Sequence, residues 1–170
     1  MLIAILLVVL AILGVVALQV DDWSRDLTTN RAATRLDAPD RSLRSLELSA
    51  SVAEVTGAMT RFVERSRAWA FDEKESGGEE ASEADDIVAI GLTRTSQLFR
   101  FVDDVRVFLQ PTALGTRVDI TSQSRVGKGD LGQNPRNIRT LLQVLRNELD
   151  HKLDDERDDK TDVAPGAAGG

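Results

Sequence analysis

Two polar stretches hold the side chains best suited to chemistry. In the first, Thr93–Asp104 (TRTSQLFRFVDD), Arg94 and Arg100 precede the adjacent pair Asp103 and Asp104. Guanidinium and carboxylate groups can pair in a bidentate fork. On an extended chain, neighbouring side chains point to opposite faces, so Asp103 and Asp104 are not a ready acid–base dyad. A carboxylate next to an arginine suits a structural ion pair better than proton transfer. Asp103, Asp104 or Asp130 would act as a base only with a second carboxylate brought within reach across the fold.

The second stretch is Ser122–Asn137 (SQSRVGKGDLGQNPRN), where Gly127, Gly129 and Gly132 lead into a predicted helix start. Free amides and the helix dipole at such a place favour an anion. It is no P-loop, because Gly127-Lys128 is followed by Gly129 rather than Ser or Thr. The competing reading is a loop whose glycines supply positive φ and whose polar groups satisfy its own backbone. Across both stretches, the candidate ligand-binding set is Arg94, Arg100, Arg125, Lys128, Asp130, Asn134 and Arg136. Phe99, Phe101 and Phe108 lie among Arg100 and Arg106, but five Phe and no Tyr make a weak stacking platform. No nucleic-acid partner is expected. The chain has no cysteine and one histidine, His151, which excludes thiolate chemistry, disulfides and His-dependent triads within one chain. No metal or cofactor is expected, and His151 reads as a surface residue of an acidic helix end.

These residues need a scaffold. Leu43–Ser49, Ala68–Lys74, Asp86–Thr95, Asp104–Gln110 and Thr116–Ser122 read as strands, the last two joined by a hairpin at Pro111–Gly115. Val105, Val107 and Leu109 share one face, with Phe108 on the other. Ser51 and Glu54 form a capping box for a helix carrying Val52, Val55, Met59, Phe62 and Val63. Asn134 as N-cap and Pro135 after it predict a long second helix with Ile138, Leu141, Leu142, Leu145, Leu149 and Leu153 on one stripe. The fold class is α+β: an N-terminal transmembrane helix, then a two-layer domain with an antiparallel sheet of about five strands and two helices on one face. The layout resembles a helix grip, an analogy of architecture without functional weight. Segments are predicted as an anchor over 1–22, a tether over 23–42, the α+β domain over 43–154 with an acidic loop at 75–86, and a disordered acidic tail over 155–170.

Formal net charge is −7, yet the acid is concentrated at 72–86 and 148–162, and the remaining chain is basic. Leu2–Val20 carries no charge and one polar side chain, Gln19. A run of that length approaches the ~30 Å hydrocarbon layer of a bilayer, and it exceeds a typical signal-peptide core. Trp23 would lie at headgroup depth. The following Asp21, Asp22 and Asp26 outweigh Arg25, which leans the domain towards the outer face of a single-pass membrane protein.

The stretch TRTSQLFRFVDDVRVFLQP, followed by GTRVDITSQSRVGKGDLGQNPRNIRTLLQVL, resembles the bacterial, archaeal and plastid proteins grouped as domain of unknown function 1499. The likeness covers about Arg31 to Leu149, and SRVGKGDLGQNPRNIR is its distinctive part. It implies a domain often exported or membrane-attached, and it implies no activity. Many members carry a cysteine-bearing segment before the first strand, and this chain has none. The resemblance carries forward Arg94, Arg100, Asp103, Asp104, Ser124, Arg125, Gly127, Asp130, Gly132, Asn134 and Arg136 as signature positions of unknown role. Three functional readings follow. The first is a membrane-anchored, non-enzymatic domain at the cell envelope, binding an anionic small ligand, a lipid or a protein partner. The second is a hydrolase-like enzyme working with carboxylates and arginine, and the third is a structural interaction module using an apolar patch around Phe108.

Overall fold

Strict alternation in the middle of the chain decides the architecture. Val105, Val107 and Leu109 of one strand and Val118 and Ile120 of the next are all fully buried, while the residues between them are not. Such a pair has one apolar face that another layer must cover. The computed structural model describes residues 1–19, 28–72, 87–97 and 100–161. It contains a six-stranded antiparallel sheet with β1 (Arg31–Ala33), β2 (Leu46–Leu48), β3 (Trp69–Phe71), β4 (Val88–Thr95), β5 (Val102–Thr112) and β6 (Gly115–Ser124). The order is β1-β6-β5-β4-β3, with β2 also paired to β6.

Among the described residues three α-helices accompany the sheet: α1 (Leu2–Gln19), α2 (Val52–Arg65) and α3 (Gln133–Thr161). The capping box that starts α2 is present. The Ser51 N–H donates to Glu54 Oε2 at 2.9 Å, and the Glu54 N–H donates to Ser51 Oγ at 3.3 Å. Val55, Ala58, Met59 and Val63 of α2 and Ile138, Leu141, Leu142, Leu145 and Leu149 of α3 join the strand valines in one core. Phe62 meets Trp69 edge-on with ring centroids 5.7 Å apart. Arg61 and Arg65 of α2 both pair with Glu148 of α3, closing the helix layer on its outer side. Burial pushes the Glu148 carboxyl up, but the hydrogen bonds from Arg61 and Arg65 outweigh it and leave the pKa lowered.

The predicted tether is partly folded. Its Arg31–Ala33 is an edge strand, and Thr34 and Ala38 are buried. Thr34 explains why: its N–H donates to the Ile120 carbonyl at 2.8 Å, and its hydroxyl accepts from the Ile120 N–H at 2.8 Å. A 3-10 turn over Arg41–Leu43 then buries Leu43 and leads to β2 further along the same edge of β6. α3 stays helical through Thr161, inside the segment predicted as tail, and residues 162–170 lie outside the described residues. The acidic loop at 75–86 lies outside the described residues.

α1 is apolar all round and holds no charged residue. Its 18 residues rise about 27 Å, slightly less than the ~30 Å hydrocarbon layer. Among the described residues no helix is long and apolar enough to cross a membrane. The transmembrane helix predicted over 1–22 is therefore not supported as a span: a helix runs over Leu2–Gln19, and residues 20–27 lie outside the described residues. Among the described residues of α1 none joins the core, and Leu2, Ile3, Ile5, Leu6, Leu7, Val8, Val9 and Leu10 are all exposed.

Candidate functional site

The sheet sorts the signature residues onto two faces. Register opposes Arg94 to Asp103 and Asp103 to Ser124 on the helix-covered face, and Thr93 to Asp104 and Asp104 to Gln123 on the other. Asp103 and Asp104 therefore point apart, as adjacency on a strand predicts.

On the covered face, Asp103 is buried and accepts from Ser124 Oγ at 2.6 Å and from Asn137 Nδ2 at 2.9 Å. The Arg94 guanidinium stands 3.8 Å from it, with a buried Nη1 that makes no hydrogen bond. Asn134, fully buried, accepts from Ser122 Oγ at 2.6 Å and donates to Ser124 Oγ at 3.1 Å and to the Asn30 carbonyl at 2.8 Å. Asn137 also donates to Ser122 Oγ at 3.1 Å. Buried polar groups cost free energy unless paired, and Asp103, Ser122, Ser124, Asn134 and Asn137 pair with one another. The result is a seam that fixes the start of α3 to β5, β6 and the entry to β1.

The helix start itself is self-capped. The Asp130 carboxylate accepts from the Gly132 and Asn134 N–H groups, each at 2.9 Å, and its carbonyl accepts from the Gln133 N–H at 3.0 Å. The amides that an anion would use are thus taken by Asp130. Asn134 is not the N-cap: α3 starts at Gln133, one residue earlier, and its side chain turns into the seam instead. Leu131 and Gly132 both have positive φ, a bend that brings Asp130 back over the helix end. Arg136 ties the bend down through the Leu131 carbonyl at 2.9 Å. Gly127 has φ +94, and its carbonyl accepts from Asn30 Nδ2 at 3.0 Å. Lys128 and Arg100 are exposed. The seven candidate ligand-binding residues are therefore not brought together. Arg94, Asp130, Asn134 and Arg136 build the scaffold, Arg125 lies on the opposite face, and Lys128 and Arg100 project from loops.

The opposite face is left open by the described helices and is concave. Arg31, Asp72, Leu92, Asp104, Val105, Arg106, Thr121, Gln123 and Arg125 line an open groove of about 570 Å³. Arg125 grips Asp104 with Nε at 2.9 Å and Nη2 at 2.6 Å, and the same Nη2 stands 3.9 Å from Asp72. That hydrogen bond and charge raise the Arg125 pKa further above its usual value. Two carboxylates facing one guanidinium hold a charge in place, an arrangement for positioning rather than proton transfer. Against Asp72 and Asp104 the groove sets Arg31, Arg106 and Arg125, so its lining is cationic by one charge. Phe108 lies half-buried on this face between Arg106 and Gln110, in a polar row rather than an apolar patch.

Sequence reasoning missed Arg31, Asp72, Arg106, Thr121 and Gln123 as residues that line the groove with Arg125. A signal was present: Asp104 and Arg106 share one strand parity, and Thr121 and Gln123 share another across the hairpin. Among the described residues no group of three acidic, histidine or cysteine side chains can hold a metal ion.

Among curated proteins none matches the chain. The seam, the self-capped bend and the groove all fall within residues 21–145, the part matched by the family described as Protein of unknown function (DUF1499), and the chain belongs to that family.

Proposed function

We propose that this protein is a membrane-attached binding module whose open sheet face takes a small acidic ligand carrying hydrogen-bonding groups. The observation that carries the reading is the groove of Arg31, Arg106 and Arg125 on a face that none of the described helices covers. On the covered side the space between sheet and helices is filled by fully buried side chains such as Leu109, Ile120 and Leu142. Thr121 and Gln123 add neutral donors and acceptors beside the cations. Arginine suits carboxylate or phosphate through its planar fork.

Attachment through α1 is the second half of the proposal. Its exposed leucines, isoleucines and valines favour a non-aqueous setting by on the order of 10–20 kcal/mol in total. A helix slightly shorter than the hydrocarbon layer is accommodated by local thinning of the bilayer. The helix-grip likeness fits this layout and assigns no ligand.

The test is thermal unfolding of the full chain in mild detergent with inorganic phosphate, citrate or glycerol phosphate. Each acid that binds the native state raises the midpoint by mass action. We expect at least one to do so, and the rise to vanish in R31A/R106A. No rise with any of the three, or an undiminished rise in the double variant, overturns the groove as the site.

A further inference from the structure

The place where the chain enters the domain carries an unexplained set of exposed side chains. Asn30, just before β1, donates to the carbonyls of Ser124 and Gly127 and accepts from the Ser124 N–H. The Arg125 N–H donates to the Val102 carbonyl at 3.0 Å, which places the β4–β5 turn alongside. One end of the sheet therefore gathers the β1 entry, the β4–β5 turn and the β6–α3 loop. Phe101 is 54% exposed there, Val126 67% and Leu131 41%. Leu131 also holds φ +52, a conformation that a leucine adopts only under constraint. Exposed Arg100 and Lys128 flank these apolar residues, and exposed Arg67 precedes β3 at the same end.

Ten residues, 20–29, separate α1 from Asn30 at this end, and an extended chain of that length reaches at most roughly 35 Å. The β5–β6 hairpin at the other end lies about 35 Å further along β5. Apolar side chains among cations match the headgroup layer of a membrane with anionic lipid. The connector 20–27 is itself acidic overall, so the cationic charge at this end belongs to the domain.

We propose that this end of the domain rests on the surface of the membrane that holds α1. Phe101, Val126 and Leu131 enter the headgroup layer, and Arg67, Arg100 and Lys128 face anionic lipid. This rests on α1 being an anchor, as proposed above. It leaves the β5–β6 hairpin end outermost.

The absence of native cysteine permits single-site labelling. Full-length L6C, F101C, V126C and L114C, each carrying one fluorophore, are placed in vesicles of phosphatidylcholine with phosphatidylglycerol and spin-labelled lipid. Leu114, 87% exposed in the hairpin, is the distal control. We expect quenching at Leu6, Phe101 and Val126 several-fold above that at Leu114, and a several-fold fall at Val126 in R100E/K128E. Quenching at Leu6 with Phe101 and Val126 no different from Leu114 overturns the docking surface alone. No quenching at Leu6 overturns the anchor and the docking surface together.

Discussion

Replacing Asn134 by alanine tests whether the signature loop is scaffold. Its side chain is fully buried and makes hydrogen bonds with Ser122, Ser124 and the Asn30 carbonyl. Each is worth about 1 kcal/mol net, and stranding the buried Ser122 hydroxyl adds a desolvation penalty, so Asn134→Ala should cost about 3–4 kcal/mol. That is a large part of the 5–15 kcal/mol typical of a domain. In urea, followed by the fluorescence of buried Trp69, the midpoint should fall by about 2 M with an unchanged slope. Ser122→Ala should cost about 2 kcal/mol, because it removes the bonds to Asn134 and Asn137. The double variant should cost about 1 kcal/mol less than the sum, since the two share a bond. A loss below about 1 kcal/mol for Asn134→Ala, or full additivity, refutes the seam as a structural device.

Other perturbations probe separate links. Gly115, at φ +143, would place a Cβ 2.0 Å from the Leu48 carbonyl oxygen, so Gly115→Ala should destabilise by more than about 2 kcal/mol in the same urea experiment. The Ser42 hydroxyl foremost, then Arg139, lowers the Asp40 pKa to about 2 against the opposing effect of partial burial. Its stabilisation is complete above the unfolded carboxyl pKa of 3.8 and disappears as pH falls through about 2. Arg139→Ala should flatten the stability profile between these values, by less than about 1 kcal/mol because Asp40 is 39% exposed. In the groove, Asp104→Asn releases Arg125 from its carboxylate, and calorimetry with the acid identified by thermal shift should show several-fold tighter binding. An unchanged affinity there would count against Arg125 as a ligand group.

The elements were largely legible in the sequence because their signals are local. The Ser51/Glu54 capping box, the alternation of Val105, Val107 and Leu109, and the stripe from Ile138 to Leu149 each appear as read. The first strand was not legible: Arg31–Ala33 is three residues long and owes its strand form to pairing with Thr121–Gln123. Asn134 was misplaced for a related reason. It precedes Pro135 and has a capping side chain, but Asp130 reaches Gly132 and Asn134 through a positive-φ bend that no local pattern announces. The groove was half legible. Opposite faces for Asp103 and Asp104 followed from adjacency alone, whereas joining Asp104 to Arg125 and Asp72 requires the β3–β4–β5–β6 order.

The most direct measurement is mass spectrometry of small molecules retained by the full chain after mild detergent extraction, compared with R31A/R106A prepared identically. The account predicts an acidic compound held by the wild-type protein and absent from the variant. Identical spectra from the two would contradict it.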